Sequence, residues 1–169
     1  MERFAVRRLR PDEWQAYRAI RLQALSEAPD AFGATLEEAL ARPPESWAAR
    51  LAEAAASGID CPLAAEANGA LVGLGWAKVD ALDPGLVNLY QMWVAPQWRG
   101  RGVAGALLQA AIDWATAREA HAMGLGVNCA NTGAIRLYER AGFVTLGDAY
   151  PMREGTALME QHMRLELAR

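Results

Sequence analysis

The sequence predicts a mixed α/β fold in which a mostly antiparallel sheet of about seven strands is flanked by helices. Two strand-like runs, Cys61–Ala67 and Ala70–Lys78, are joined by Asn68-Gly69, which is a strong signal for a two-residue hairpin turn. Later in the chain, helical patterns alternate with short apolar runs, as they do in parallel crossovers. Hairpins at the front and crossovers at the back therefore indicate one mixed sheet.

The N-terminal part is expected to supply one edge strand and three helices. Phe4–Leu9 alternates loosely between apolar and polar residues, as an edge strand does. Pro11 and the two acids after it are typical of a first helical turn, because proline presets φ and carboxylates favour the positive end of the helix dipole. This helical period continues to Pro29. Thr35–Glu38 is a capping-box pattern that opens a second helix, and Gly58 closes a third.

The rest of the chain is expected to complete the sheet. Leu86–Val94 is rich in aromatic and β-branched residues and is predicted to be the third strand of the meander. The later elements are a helix, a buried strand, a second helix and two last strands, over Val103–Arg118, Met123–Val127, Asn131–Ala141, Phe143–Leu146 and Leu158–Leu165. Because no linker or repeat divides the chain, residues 1–169 are expected to form a single domain.

Composition excludes several classes of function. The 169 residues are 53% hydrophobic and carry a formal net charge of −3, which is typical of a soluble globular protein. This acidic balance argues against a domain that coats nucleic acid. The sequence has no apolar run of the length that a membrane span or a signal peptide requires. We therefore expect a cytoplasmic protein with neither a nucleic-acid nor a membrane partner.

Cysteine and histidine are scarce. Cys61 and Cys129 are too few for a disulfide framework. Cys129 is interpreted as a small buried residue, because no histidine is placed by the sequence to activate it as a nucleophile. The histidines are His121 and His162, and neither CxxC nor HExxH spacing occurs, so no metal site is expected.

The most informative segment is the loop between the third meander strand and the helix that follows. A helix N-terminus exposes unpaired backbone N–H groups and a partial positive charge. Gly100 and Gly102 lack the Cβ atoms that would keep a ligand away from those amides, and Arg99 and Arg101 add positive charge. The loop is therefore predicted to bind a phosphate or pyrophosphate.

Two other interpretations of this loop are open. The loop can be an ordinary surface turn that precedes a helix. It can also be a dinucleotide site, because Gly100, Gly102 and Gly105 satisfy G-x-G-x-x-G. That fingerprint needs its first glycine directly after the strand and an acid about 20 residues later, at the end of the next strand. Here five residues intervene and the next strand ends in Asn128, which disfavours a dinucleotide.

Two motifs resemble one known family. Arg99–Ala104 (RGRGVA) resembles the R/Q-x-x-G-x-G/A loop of the GNAT superfamily of N-acetyltransferases. The segment Leu125–Phe143 is similar to a second GNAT signature, with matches at Leu125, Val127, Asn131, Ala134, Leu137, Tyr138, Gly142 and Phe143. Two motifs in the right order are more specific than either alone. The resemblance is specific over about residues 86–146 and weaker before them.

The resemblance implies a GNAT-like fold, acetyl-CoA as the donor and a primary amine of a small molecule or peptide as the acceptor. It implies that the CoA pyrophosphate binds the loop residues Arg99, Gly100, Arg101, Gly102, Val103 and Ala104. It also implies that the pantetheine arm enters between two splayed strands, bonds the backbone near Met92 and Val94, and touches Asn131. Gly124 and Gly126 fit the close approach of another backbone, with packing under a helix as the alternative.

The resemblance also suggests how the chemistry would proceed. Tyr138 is the candidate proton donor to the departing thiolate, with a role as a core aromatic as the alternative. A backbone N–H near Val94 is the candidate to stabilise the oxyanion. The general base is unassigned, because the strand that often carries a Glu in this family has Asn88 and Gln91 instead. Ordered water, Glu66 and Asp80 remain candidates.

The acceptor side is less defined. Phe32 and Tyr90 are candidate walls for the amine, with ordinary core packing as the alternative for both. The net negative charge favours a cationic or neutral amine slightly. A non-catalytic acyl-CoA-binding regulatory module is the alternative function, and a homodimer is an open expectation because dimers are common in the resembled family.

Overall fold

The structure is a computed structural model that describes residues 3–167. Within them lies an eight-stranded sheet of order β1-β2-β3-β4-β5-β8-β6, with β7 paired to β8. The strands are β1 (Ala5–Arg8), β2 (Asp60–Ala67), β3 (Ala70–Val79), β4 (Leu86–Val94), β5 (Ala122–Asn128), β6 (Val144–Thr145), β7 (Tyr150–Pro151) and β8 (Met159–Glu166). The helices are α1 (Trp14–Glu27), α2 (Leu36–Leu40), α3 (Pro44–Ser57), α4 (Val103–Ala117) and α5 (Thr132–Ala141). The predicted mixed sheet is confirmed.

Helices cover both faces of the sheet. On one face, the Tyr17 ring of α1 lies 5.7 Å from the rings of Trp47 on α3 and Trp76 on β3. A Cβ placed on Gly73 of β3 would lie 3.1 Å from Leu107 of α4, so this position faces α4 on the opposite side of the sheet. The apolar side chains of α1 and α3 thus pack on one face of the sheet and those of α4 on the opposite face.

β4 and β5 form the parallel pair of the sheet and part halfway along. Leu86–Leu89 pairs with Ala122–Leu125, and no further residues of the two strands are paired with each other. β4 then continues to Val94 and β5 to Asn128, on either side of a widening gap. The backbone groups that line this gap are available to a ligand rather than to a neighbouring strand.

A β-bulge in β4 lies where the two strands part. Gln91 and Met92 together oppose Gly75 of β3, and Gln91 has a φ of 61°. A Cβ on Gly75 would lie 2.8 Å from Sδ of Met92, so the glycine makes room for the bulged strand. The sequence analysis missed this bulge, because Gln91 carries no local signal for a positive φ.

Local turn and cap signals are confirmed. Asn68 and Gly69 have φ values of 53° and 78°, as a type I′ hairpin turn requires. The amide of Glu38 donates to Oγ1 of Thr35 at 3.2 Å, so Thr35 is the N-cap of α2; the Glu38 carboxylate accepts from the Thr35 hydroxyl rather than from its backbone amide. Gly142 ends α5 with a φ of 105°.

Two sequence expectations were wrong. Cys129 is exposed rather than buried, because it follows the end of β5 in the turn that leads to α5. The strand expected over Phe143–Leu146 is reduced to the two residues of β6, because Phe143 packs edge-on against Tyr138 instead of extending the strand.

Two further observations bear on the kind of site the fold can offer. None of the helices in residues 3–167 has the length and apolar character needed to span a bilayer. In the same residues, His, Cys, Asp and Glu side chains do not gather in groups of three or more that could hold a metal ion.

Candidate functional site

Two cavities adjoin at the gap between β4 and β5. The first, here called the loop cavity, has a volume of about 550 Å³ and is bordered by the glycine loop before α4. The second, called the sheet cavity, has a volume of about 610 Å³ and lies over β4, β5 and β8. Met92, Asn131 and Tyr138 line both cavities. Ala31 and Ala134 line both as well, so the two cavities adjoin along these residues and together can form one channel.

The N-terminus of α4 faces the loop cavity. Gly102 is the N-cap residue, and no side chain caps the first amides of the helix, which belong to Val103, Ala104 and Gly105. Gly100 and Gly102 have φ values of 76° and 87°, and a Cβ on either would meet no atom within 4 Å. The loop therefore needs glycine for its left-handed backbone, and the access that the missing Cβ atoms give a ligand to the amides stays a prediction. The uncapped amides at this end of α4 and the helix dipole suit an anion.

Arg99 lines the loop cavity, but its side chain is already engaged. Its guanidinium donates to the Val94 carbonyl at 3.0 Å and to Oε2 of Glu27 at 2.7 Å. The same Glu27 oxygen accepts from Nε1 of Trp93 at 2.8 Å, and the Arg99 hydrogen bond lowers the pKa of Glu27. The amide of Arg99 donates to Pro96, so the row of available amides starts after Arg99. Arg99 thus joins the loop to α1. Because Glu27 already neutralises part of its positive charge, Arg99 attracts an anion less strongly than the sequence predicts.

The positions of two other arginines differ from those that the sequence predicts. Arg101 stacks on Trp98, with Cζ 5.0 Å from the ring centre, and is not among the residues that line the loop cavity. Arg140, in the last turn of α5, does line it. No motif predicts that Arg140 lines this cavity. Its only signal in the sequence is its place two residues after Tyr138 on the same helix.

Asn131 and the end of β4 form the walls of the channel. Oδ1 of Asn131 accepts from the Ala134 amide at 3.1 Å and so caps α5, as the sequence predicts. This bond leaves the side-chain NH₂ group of Asn131 at the junction of the two cavities. Met92 and Val94 also line the loop cavity, on the part of β4 that is no longer paired with β5. Polar groups from a helix cap and a strand therefore face the same channel.

Tyr138 lies at the junction of the cavities. It projects from α5, is 6% exposed, and packs edge-on against Phe143 with ring centres 5.7 Å apart. Burial raises the pKa of Tyr138 to about 12. Its hydroxyl therefore keeps its proton at neutral pH, and a ligand that fills the channel would pass beside it.

The sheet cavity contains both predicted acceptor walls. Phe32 is buried, and the guanidinium of Arg21 lies over its ring, 4.6 Å from the ring centre. Tyr90 is half exposed, and burial of the rest of the ring raises its pKa. Both side chains line the cavity as well as packing against the protein, so the two interpretations of these residues are compatible.

Gly126 forms part of the floor of the sheet cavity, and Gly124 lies two residues before it on β5. A Cβ on Gly124 would lie 2.9 Å from Oδ1 of Asn88 and 3.2 Å from Cε1 of His162. A Cβ on Gly126 would overlap the carboxylate of Glu160. These glycines make room for polar side chains of β4 and β8 rather than for a helix, and the close approach of a ligand backbone stays a prediction.

The two carboxylates considered as general bases fit poorly. Glu66 lies on β2, accepts from Arg7 at 2.7 Å, and is not part of the sheet cavity lining, so its candidacy was wrong. Asp80 lines the cavity, but Oδ1 accepts from Nδ2 of Asn88 at 2.9 Å. Its other oxygen accepts two backbone N–H bonds, and these bonds lower the pKa of Asp80. A carboxylate held in this way is a weak proton acceptor.

Two side chains that the sequence analysis missed reach the sheet cavity from β8. Glu160 and His162 alternate along the strand, opposite Asn128 and Gly126 of β5. Side chains at alternate positions share one face of a strand, which places both groups over the cavity. Their pairing with β5 spans more than 30 residues of sequence, so no local pattern indicates it.

Comparison with known proteins gives one family and one fold. The model of the acetyltransferase (GNAT) family matches residues 10–143. A mycothiol acetyltransferase of Clavibacter sepedonicus is 40% identical over 81 residues, which are 48% of this chain and 26% of that protein. A mycothiol acetyltransferase of Mycobacterium avium is 35% identical over 88 residues, 46% of this chain and 27% of that protein. The matches cover only about a quarter of the length of these relatives.

Solved structures share the architecture over nearly the whole chain. An acetyltransferase of the GNAT family from Streptococcus pneumoniae has a TM-score of 0.85 at 21% identity, covering 98% of this chain and 100% of that one. The structure of yncA from Salmonella typhimurium with its cofactor acetyl-CoA has a TM-score of 0.80 at 21% identity, covering 98% and 94%. At such identities the likeness establishes the fold.

Proposed function

Because the chain belongs to the acetyltransferase (GNAT) family, we propose that it transfers the acetyl group of acetyl-CoA to a primary amine of a small molecule or peptide. One observation carries this proposal. The uncapped N-terminus of α4, the part of β4 that is not paired with β5, and the buried phenol of Tyr138 line two adjoining cavities that share Met92, Asn131 and Tyr138. This order suits a ligand with a diphosphate at one end and a thioester at the other.

The loop cavity is the proposed donor site. The amides of Val103, Ala104 and Gly105 bind the CoA pyrophosphate at the positive end of α4. Arg140 adds a cation on the opposite wall. The backbone near Met92 and Val94 pairs with the amides of the pantetheine arm in the manner of an added strand, and Asn131 donates its side-chain NH₂ group.

The reaction is a direct attack that needs no covalent enzyme intermediate. The neutral amine forms a C–N bond to the thioester carbonyl carbon, and the C–S bond breaks as the tetrahedral intermediate collapses. The nitrogen loses a proton and the departing sulfur gains one, so the products are an N-acetyl amine and free CoA thiol. The protein has to support the oxyanion, the leaving thiolate and the loss of the ammonium proton.

Tyr138 supports the leaving thiolate. Burial holds its pKa near 12, above the ordinary pKa of about 8.5 for a thiol, so complete transfer of its proton is unfavourable by itself. Donation of a hydrogen bond to the developing thiolate is favourable, because a buried and dry site strengthens such a bond. We assign this hydrogen bond to Tyr138. The proton that the departing sulfur finally carries balances the one that the amine loses.

Glu160 and His162 are the proposed route for the ammonium proton. Both side chains line the sheet cavity, where the amine enters, whereas the carboxylate of Asp80 is held by three hydrogen bonds. A carboxylate or an imidazole accepts a proton directly or through one water. The two side chains therefore take the place of the acid that is absent from β4.

The test is release of free CoA thiol with a panel of primary amines. The proposal predicts thiol release that depends on the amine and falls in the Tyr138→Phe variant while acetyl-CoA affinity is kept. Tight acetyl-CoA binding without thiol release on any amine would favour the non-catalytic acyl-CoA-binding module instead. Stabilisation by NAD(P) but not by CoA would favour the dinucleotide interpretation.

A further inference from the structure

Arg21 presents a buried positive charge to the sheet cavity. It lies on the inward face of α1, is 7% exposed, and lines the cavity beside Phe32. Its Nη1 atom is buried and has no hydrogen-bond partner among residues 3–167. The Phe32 ring covers one face of the guanidinium. Nη1 therefore lacks a partner among the described residues, on a side chain that borders the sheet cavity.

The surroundings of Arg21 make this charge costly. Burial lowers its pKa, and the nearby positive charges of Arg42 and Arg50 lower it further. Stacking on Phe32 offsets part of this cost, but a buried charge ordinarily needs an opposite charge and hydrogen bonds. A costly, unpaired cation in a cavity is typical of a group that is kept for binding.

The chemistry of the missing partner follows from the cavity. A planar guanidinium edge matches the two oxygens of a carboxylate and binds them as a bidentate pair. Asp80 and Glu160 also line the cavity, so a doubly charged phosphate would meet more repulsion there than a singly charged group. A monoanionic carboxylate therefore fits this cavity better than a phosphate does.

We propose that Arg21 binds a carboxylate of the acceptor, so that the acceptor carries its primary amine and a carboxylate on one small molecule. This inference rests on the proposed acetyl transfer, since it names the class of amine that enters the sheet cavity. It replaces the slight preference for cationic or neutral amines inferred from the net charge of −3. The nearby charge of Arg21 acts on the bound group more strongly than the net charge of the whole protein does, because that net charge is distant and screened.

The test compares amines that differ only in this group. Glycine, L-methionine, L-phenylalanine and 4-aminobutyrate are each paired with the corresponding carboxamide, and kcat/KM is measured from CoA thiol release. The full-length proteins are wild type, Arg21→Met and the control Arg18→Met. Arg18 lies on the same helix, loses the same charge in its variant, and is not among the residues that line either cavity.

We expect the wild type to favour at least one carboxylate over its carboxamide by about tenfold or more, the usual weight of a charge-assisted hydrogen bond. Arg21→Met should abolish this preference, and Arg18→Met should keep it. Acetyl-CoA affinity should be equal in all three proteins. The melting temperature of Arg21→Met should not fall, because an apolar chain of similar length replaces an unpaired buried charge.

A second measurement separates this inference from acetyl transfer itself. The melting temperature is recorded with CoA and N-acetyl-L-methionine, or with CoA and its carboxamide, because these complexes need no turnover. Stabilisation by the carboxylate in wild type but not in Arg21→Met supports the carboxylate site, even if no amine releases thiol.

Three results would overturn the inference. Equal kcat/KM for carboxylates and carboxamides would exclude carboxylate recognition while leaving acetyl transfer in place. A preference for O-phosphoethanolamine over every carboxylate would assign Arg21 to phosphate instead. Absence of both thiol release and carboxylate-dependent stabilisation would remove the acceptor site and acetyl transfer together.

Discussion

The hydroxyl of Tyr17 donates a hydrogen bond of 2.8 Å to Oε1 of Gln91, so helix α1 holds the bulged residue of β4 in place. Gln91 is the residue of β4 with a positive φ, and it lies where β4 turns away from β5. A buried side chain on one element thus helps to fix the gap on which the proposed donor site depends.

Tyr17→Phe tests this relationship. The ring keeps its contacts with Trp47 and Trp76, but the partly buried Gln91 oxygen loses its donor, so we expect the free energy of unfolding to fall by about 0.5–1.5 kcal/mol. We also expect kcat/KM to fall, because the strand beside the channel is less well held. Ser57→Ala is the control, since it removes a hydroxyl bound to Asp60 without touching β4. Equal activity per folded molecule in both variants would show that the bond has no role in the channel.

Gly102→Ala should weaken acetyl-CoA binding as well as stability. The φ of 87° disfavours any L side chain and costs about 1–2 kcal/mol. Gly58→Ala is a matched control, because Gly58 has a φ of 71°, has no atom within 4 Å of a Cβ, and does not line the loop cavity. Calorimetric titration should show a loss of acetyl-CoA affinity for Gly102→Ala alone. The same affinity in both variants would exclude this loop as the pyrophosphate site.

Arg140→Ala should weaken acetyl-CoA binding by about 1.5-fold to fivefold, the range expected for an exposed ion pair. The effect should shrink as salt is added, because exposed charges are screened. Arg136→Ala removes the same charge one turn earlier on α5, at an exposed position outside the loop cavity lining. A loss of affinity that is equal for the two variants, or that does not depend on salt, would contradict a direct role for Arg140.

The ion pair of Arg7 with Glu13 predicts a specific pH dependence of stability. The hydrogen bond from Arg7, 2.6 Å long, lowers the pKa of Glu13 from 4.5 to about 2. A lowered folded-state pKa gives stability that is complete above about pH 4.5 and is lost as pH falls towards 2. Glu13→Gln should therefore have a lower urea midpoint than wild type at pH 7, and the difference should narrow by pH 3. A constant difference across this range would contradict the assignment.

Much of the fold can be predicted from local signals. The Asn68-Gly69 hairpin, the Thr35 helix start and the Gly142 helix stop each depend on a few neighbouring residues, and all three are confirmed. Family membership is confirmed as well, because its motifs are contiguous stretches around the loop and α5.

The parts that sequence could not predict depend on contacts between distant residues. The bulge at Gln91 needs Gly75 of β3 and Tyr17 of α1. Glu160 reaches the sheet cavity only through the register of β8 with β5. Arg21 is one of many arginines in the sequence, and its burial follows from the packing of α1.

The most direct test of the central claim is a crystal structure of this protein with acetyl-CoA. We expect pyrophosphate oxygens to accept hydrogen bonds from the amides of Val103–Gly105. We also expect the thioester sulfur to lie within about 3.5 Å of the Tyr138 hydroxyl, the reach of a hydrogen bond to sulfur. A cofactor bound outside the loop cavity would contradict the proposed donor site, and a Tyr138 hydroxyl that faces away from the sulfur would contradict its proposed role.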